Sequence, residues 1–163
     1  MNKSTMKQRS PRRNIEVATY MRRLHDYLII GGYPERHAGP YLRLAHVIAN
    51  HEVDIQILAK ERRLKRIPGL GWHIERTIIE YLDTGNSSKF KAFARTAPPT
   101  VLDLLDIPGI GIQTARSLFQ NFGISGPIDL KAALDEGWLQ ELRLYRDKLL
   151  VSVHTYLSKE LVG

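Results

Sequence analysis

Val17, Met21, Leu24 and Leu28 fall at i, i+4, i+7 and i+11, one apolar stripe that predicts a helix from about Asn14 to Ile30. Gly31-Gly32 stops it, and Tyr33-Pro34 continues the turn. Pro40 suits the first turn of a second helix, on which Tyr41, Leu44, Ala45 and Ile48 line up at i, i+3, i+4 and i+7. A short helix around Val53 to Lys60 follows. Ile74, Ile78, Tyr81 and Leu82 mark another, closed by Thr84-Gly85-Asn86. Ala97-Pro98-Pro99 reads as a linker or a helix start, and it divides the chain into subdomains at 14–97 and 98–163. Ala115, Leu118, Phe119 and Phe122 give a clean stripe stopped by Gly123. Asp129 is placed to cap a helix that ends at Gly137, and Leu142, Tyr145, Leu149, Val153 and Tyr156 form a last stripe. No alternating strand pattern bounded by turn signals appears, so the expected fold class is all-α.

Composition narrows the classes. The 163 residues suit one ordinary domain or two small ones, and 43% hydrophobic with 25% charged residues is the balance of a globular chain. Without cysteine there is no disulfide framework and no Cys-ligated zinc or iron–sulfur cluster. No apolar run approaches bilayer length, and the basic start has no apolar core of a secretory signal. A cytoplasmic location is expected, nucleoid-associated in a prokaryote or nuclear in a eukaryote.

Charge changes the picture. The net charge is +7, with +5 in residues 1–13, +4 in 14–97 and −2 in 98–163. A basic arm and a basic first half point to a polyanion, nucleic acid before membrane, since no basic amphipathic helix with an aromatic face accompanies them. The arm at 1–13 reads equally well as a disordered, solubilising segment.

One motif recurs. Ile67-Pro68-Gly69-Leu70-Gly71 returns 40 residues later as Ile107-Pro108-Gly109-Ile110-Gly111. Each copy follows a short helical stretch and opens a longer amphipathic one, the pattern of a helix-hairpin-helix. The two glycines of each turn are expected to supply positive φ and to let another backbone approach. The residue between them plugs the turn into the core. Freed N–H groups at the start of the second helix, with the positive end of its dipole, make a phosphate site blind to base identity. A single copy would read better as an ordinary helix connection with a glycine cap; two reverse that preference.

Flanking charge separates the copies. Lys60, Arg62, Arg63, Lys65 and Arg66, opposed only by Glu61, lead into the first turn, and Arg76 lies one helical turn beyond. The second is preceded by Asp103 and Asp106 and followed by Gln113 and Arg116, so it is electrostatically poorer. Trp72, just after Gly71, either stacks on a sugar or base or staples the hairpin. The six histidines show no clustering at metal-ligand spacing with carboxylates.

Residues 14–160 resemble the N-terminal region of family X DNA polymerases, the polymerase beta family. The similarity rests on Asn14-Ile15 with the following helix, on Gly31 to Ile48 with Tyr41, Ala45 and Ile48 in phase, and on Ile67 to Gly85 ending Glu80-Tyr81-Leu82-Asp83-Thr84-Gly85. It continues over Leu102 to Ile124, with Thr114-Ala115 after the turn and Phe122-Gly123-Ile124 at the end, and over Ile128 to Leu142. In that family one hairpin belongs to a lyase-type domain and the other to a duplex-binding domain, and they hold nicked or gapped DNA by its backbone. The resemblance therefore implies DNA as partner, at nicks, gaps or ends in DNA repair. It puts His37 and His73 near bound DNA, and Tyr41 in a 5′-phosphate pocket or the core. It also implies a monovalent cation, K⁺ or Na⁺, on the hairpin carbonyls, by position those of Lys65, Ile67 and Leu70 and of Leu105, Ile107 and Ile110. No cofactor is otherwise expected.

The chain departs from that pattern in two ways. It stops where the family's catalytic palm would begin and shows no Asp-x-Asp pair after a strand to hold two Mg²⁺ ions, so nucleotidyl transfer is not expected of these residues. A separate polymerase or nuclease chain is a conceivable partner. The slot for the family's lyase lysine is Thr77, and no lysine occurs from Trp72 to Ser88. A deoxyribose-phosphate lyase would need a displaced lysine such as Lys60 or Lys65. Sequence-independent DNA binding is the leading reading, with that lyase and a helix-hairpin-helix dimerisation or protein-interaction module as alternatives.

Overall fold

The computed structural model describes residues 10–137 and 146–162. Among them every regular element is helical: α1 (Arg12–Ile30), α2 (Glu35–Ala49), α3 (Ile55–Lys60), a 3₁₀ turn (Leu64–Arg66), α4 (Trp72–Thr84), α5 (Ser88–Phe93), a 3₁₀ segment (Pro99–Asp106), α6 (Ile112–Phe122), α7 (Pro127–Glu136) and α8 (Arg146–Val162). The all-α expectation holds. The basic arm up to residue 9, Leu142, Tyr145 and the side chain of Leu149 lie outside the described residues. No helix among the described residues is long and apolar enough to cross a membrane.

The helices gather into two compact units. The first takes the described residues up to His25 and then Glu35–Ala92; the second takes Asp26–Pro34 and the described residues from Phe93 onward.

In the first unit the predicted stripes are buried: Val17, Met21 and Leu24 on α1, and Tyr41, Leu44, Ala45 and Ile48 on α2, joined by Ala38. Pro40 does not open α2. The helix starts five residues earlier at Glu35, whose carboxylate complements the positive end of the dipole. Pro40 sits inside, where the bond it forgoes would reach back to exposed Arg36. Asp54 caps α3, its Oδ1 accepting the Gln56 N–H at 2.8 Å. Asn14 is wholly buried and ties the start of α1 to this cap. Its Nδ2 donates to the carbonyls of His51 (3.2 Å) and Val53 (2.9 Å), and its Oδ1 accepts the Ile55 N–H (2.8 Å).

Helix α4 ends at Gly85, left-handed with φ 79°. Beyond it the Glu80 carboxylate accepts the Ser88 N–H at 2.5 Å and the Arg76 Nε–H at 2.7 Å. The Ser88 N–H first, and Arg76 after it, hold the Glu80 carboxyl down at about 2 from its usual 4.5. A depressed carboxyl stabilises the fold fully above its unfolded value and loses that contribution as pH falls through its folded value. Wild-type protein should therefore lose its advantage over Glu80→Gln between pH 4.5 and about 2. Urea titrations of both across that window check this; a difference that stays constant to pH 2 contradicts it.

In the second unit the end of α1 joins the chain after Phe93. Tyr27 meets the Phe93 ring edge-on, 5.0 Å between centroids at 88°, and its hydroxyl donates to the Ala97 carbonyl. A Cβ on Gly31 would overlap the same Phe93 ring, so that glycine is required by packing. Gln120 of α6 donates to the Ile30 carbonyl at 3.3 Å. Ala97-Pro98-Pro99 is a helix start, with Pro98 at the N-cap of the second 3₁₀ segment. Asp129 is not the cap of α7. The helix begins at Pro127, at the position where a missing N–H is harmless, and Asp129 reaches back from the first turn to accept the Ser125 N–H at 3.0 Å. Ala115 and Leu118 of α6 are buried, as is Val153 of α8.

Candidate nucleic-acid interface

The repeated pentapeptide folds the same way twice. In each copy the N–H after the first glycine bonds back across the turn, Leu70 to the Ile67 carbonyl and Ile110 to the Ile107 carbonyl, both at 3.1 Å. Pro68 and Pro108 occupy the second position of these turns, and Gly69 (φ 82°) and Gly109 (φ 91°) the third. That is a type II β-turn, which needs a left-handed residue at its third position and favours proline at its second. Ile67, Leu70, Ile107 and Ile110 are buried and anchor the turns.

Only the first glycine of each copy has positive φ. Gly71 (φ −85°, ψ 174°) and Gly111 (φ −94°, ψ −178°) are extended, which any residue can adopt, so the expectation of two left-handed glycines per turn is corrected. They serve differently. Each is the N-cap of the longer helix and supplies no capping side chain, and a Cβ there would meet nothing within 4 Å. The first N–H groups of α4 and α6 are thus left open to an outside acceptor.

The cations before the first turn are all exposed. Arg63 pairs with Glu61 at 2.8 Å, Lys65 stands 3.9 Å from Glu75, and Arg76 pairs with Glu80 at 2.7 Å. Such exposed pairs are weak and exchange readily for phosphate. Lys60, Arg62 and Arg66 have no ion-pair partner among the described residues. A further cation joins them. The Arg43 guanidinium of α2 lies over the first turn, its Nη2 3.2 Å from where a Gly69 Cβ would stand. The sequence carries no signal for Arg43, because its place depends on how α2 packs on the turn.

Arg62 is the one non-glycine residue with positive φ among those described, at 56°. It follows α3 in a Schellman motif: Arg63 N–H to the Leu58 carbonyl (2.8 Å) and Arg62 N–H to the Ala59 carbonyl (3.1 Å). The same bonds close α1, where the equivalent residue is Gly32 (φ 90°). An arginine where glycine fits better costs about 1–2 kcal/mol. Arg62→Gly should therefore raise stability by about 1 kcal/mol, read by urea denaturation. Loss of stability would show that the side chain packs rather than projects.

The other expected site residues are placed as follows. Trp72 is 58% exposed, which removes the stapling role, and its ring stacks on that of exposed His73, 3.4 Å between centroids. His37 is exposed on α2, its Nε2 accepting from Arg36 Nε at 3.2 Å, while Tyr41 is buried on the core stripe. Around the second turn Gln113 is exposed and Arg116 half-buried. Thr77 is buried, its hydroxyl donating to the His73 carbonyl at 3.1 Å. No group of three metal-ligating side chains occurs among the described residues.

The all-helical fold and the paired Pro-Gly turns go with a distant relationship to family X polymerases. The chain is 28% identical over 91 residues to the DNA polymerase/3′-5′ exonuclease PolX of Bacillus subtilis (strain 168). That stretch covers 56% of this chain and 16% of that protein, so the chain matches only a small part of the relative's length. No protein-family model matches the chain.

Proposed function

We propose that this chain binds DNA through its backbone phosphates, without base preference, at nicks, gaps or ends in DNA repair, using two helix-hairpin-helix motifs. The observation that carries the reading is the doubled geometry: one left-handed glycine and one extended, uncapping glycine in each copy. A helix N-terminus without a side-chain cap offers N–H donors and a positive dipole end to a phosphate oxygen. Gly69, Gly71 and the N–H groups of Trp72 and His73 make the first such site, and Gly109, Gly111 and Gln113 the second. The similarity to a protein named as a DNA polymerase and exonuclease supports DNA as the ligand.

The two motifs take unequal shares. Lys60, Arg62, Arg63, Lys65, Arg66, Arg76 and Arg43 surround the first and set the affinity. The second, with Arg116 against Asp103 and Asp106, adds a weaker grip. His37 lies on the exposed side of α2 and reaches phosphate from there; Tyr41, being buried, supports the helix. A K⁺ or Na⁺ ion would be held by the carbonyls of Lys65, Ile67 and Leu70, and in the second motif by those of Leu105, Ile107 and Ile110. The Ile67 and Ile107 carbonyls each accept one N–H within the turn and keep a second lone pair for such an ion. The cation would link the turn to a phosphate by charge.

The test is a titration of intact, nicked, gapped and single-stranded DNA over a range of salt. Four phosphates neutralised by Lys60, Arg62, Arg66 and Arg43 predict a slope of log affinity on log salt of about −3.6. A flat salt dependence, or a tenfold preference between base sequences of the same form, overturns the reading.

A further inference from the structure

We propose that Trp72 is a stacking platform for an unpaired nucleobase, so that the first turn selects DNA with a single-stranded gap over nicked or intact duplex. The proposal rests on the DNA-binding reading above and names the feature of the DNA that the chain distinguishes.

A tryptophan is the largest apolar side chain, and leaving 58% of one in water needs a reason. Trp72 is the first residue of α4, about 200° around the helix from buried Ile74. It belongs to the solvent side and contributes little to the core. Its ring is nevertheless held. The His73 imidazole lies against it at 3.4 Å and 29°, which covers one face of the indole and restrains its rotation. A flat guest can add to the uncovered face.

The approach is open and positively charged. Gly71 places no side chain at the start of α4, and no residue beyond its two chain neighbours would lie within 4 Å of a Cβ there. Glu75, one turn along the same face of α4, is offset by Lys65 at 3.9 Å. A nucleotide whose phosphate sits at the uncapped start of α4 therefore finds an aromatic surface on the residue that donates one of the N–H groups. Within an intact duplex, and at a nick, both faces of each interior base are already stacked and give an indole nothing to cover. An unpaired base in a gap offers a face, whatever its identity, and stacking it on an aromatic side chain is worth about tenfold or more in affinity. Phosphate contacts alone do not make this distinction, because every form of DNA carries them.

The experiment measures affinities of the full chain for one duplex in intact, nicked and several-nucleotide-gapped form. Wild type is compared with Trp72→Ala, Trp72→Leu and Trp72→Phe, with melting curves as a check on folding. Wild type should prefer the gapped form. Trp72→Ala and Trp72→Leu should lose about tenfold more affinity on gapped DNA than on the other two. Trp72→Phe should keep most of the preference. Trp72→Leu keeps apolar bulk without a ring, so its loss separates stacking from packing. Equal binding of gapped DNA by wild type and Trp72→Ala, or an equal loss on all three forms, overturns the platform while DNA binding itself stands. Failure of wild type to bind any form overturns both.

Discussion

Gly69→Val and Gly71→Val, two residues apart in one turn, should fail in different ways. Gly69 has φ 82°, which a β-branched residue adopts only under strain of about 1–3 kcal/mol, and its new side chain would press on Arg43 at 3.2 Å. The variant should lose that much stability, and the phosphate site should go with the turn. Gly71 is extended, at φ −85°, with open space where a side chain would grow. Gly71→Val should cost less stability, about 0.5–1 kcal/mol for the loss of a glycine N-cap, yet cut DNA affinity about tenfold or more, because a branched side chain then stands over the N–H groups that a phosphate would take. Denaturation midpoints and binding curves on both variants read the two effects separately. Gly109→Val and Gly111→Val should divide the same way in stability but cost less affinity, since Asp103 and Asp106 precede that turn. Wild-type affinity in Gly71→Val would remove the start of α4 from the interface, and a larger loss at the second turn would move the main contact there.

Asn14→Ala should be among the most destabilising single changes in the first unit, at about 2–4 kcal/mol. The side chain is fully buried and serves three backbone groups, the carbonyls of His51 and Val53 and the N–H of Ile55. Alanine leaves those groups without the partner that replaced water. Asn14→Asp should be nearly as harmful, because it keeps the acceptor for Ile55 but turns the donor to the two carbonyls into a buried negative charge. Urea denaturation gives the size. A loss below about 0.5 kcal/mol would mean that water enters and serves the three groups.

What the sequence disclosed was local. Apolar stripes at helical spacing placed α1, α2, α4 and α6, and left-handed glycines at 85, 123 and 137 ended helices where expected. The repeated Pro-Gly turn was legible because its chemistry is written within five residues. What stayed hidden depends on partners far along the chain. Asn14 reads as an ordinary helix start, and only the packing of α1 on the loop 51–55 turns it into a buried clamp. Residues 26–30 complete α1, whose earlier residues belong to the first unit, yet Tyr27 finds Phe93 and Ala97 some seventy positions later. Arg43 carries no mark of its place over Gly69. The role of Gly71 and Gly111 was misread because glycine composition does not say whether a position needs positive φ or merely needs no side chain.

The open starts of α4 and α6 bear on how this protein's stability is measured. A helix whose N-cap is glycine forgoes about 0.3 kcal/mol that serine or aspartate at that place would contribute. Any anion that settles there binds the folded chain and not the unfolded one, and mass action then raises the melting temperature. At a hundredfold excess over its dissociation constant the gain is about 2.7 kcal/mol. Phosphate buffer, polyphosphate or nucleic acid carried through purification would each make the chain look sturdier than its own contacts make it. The intrinsic stability is the value approached in a buffer without oxyanions, after any bound nucleic acid has been stripped away.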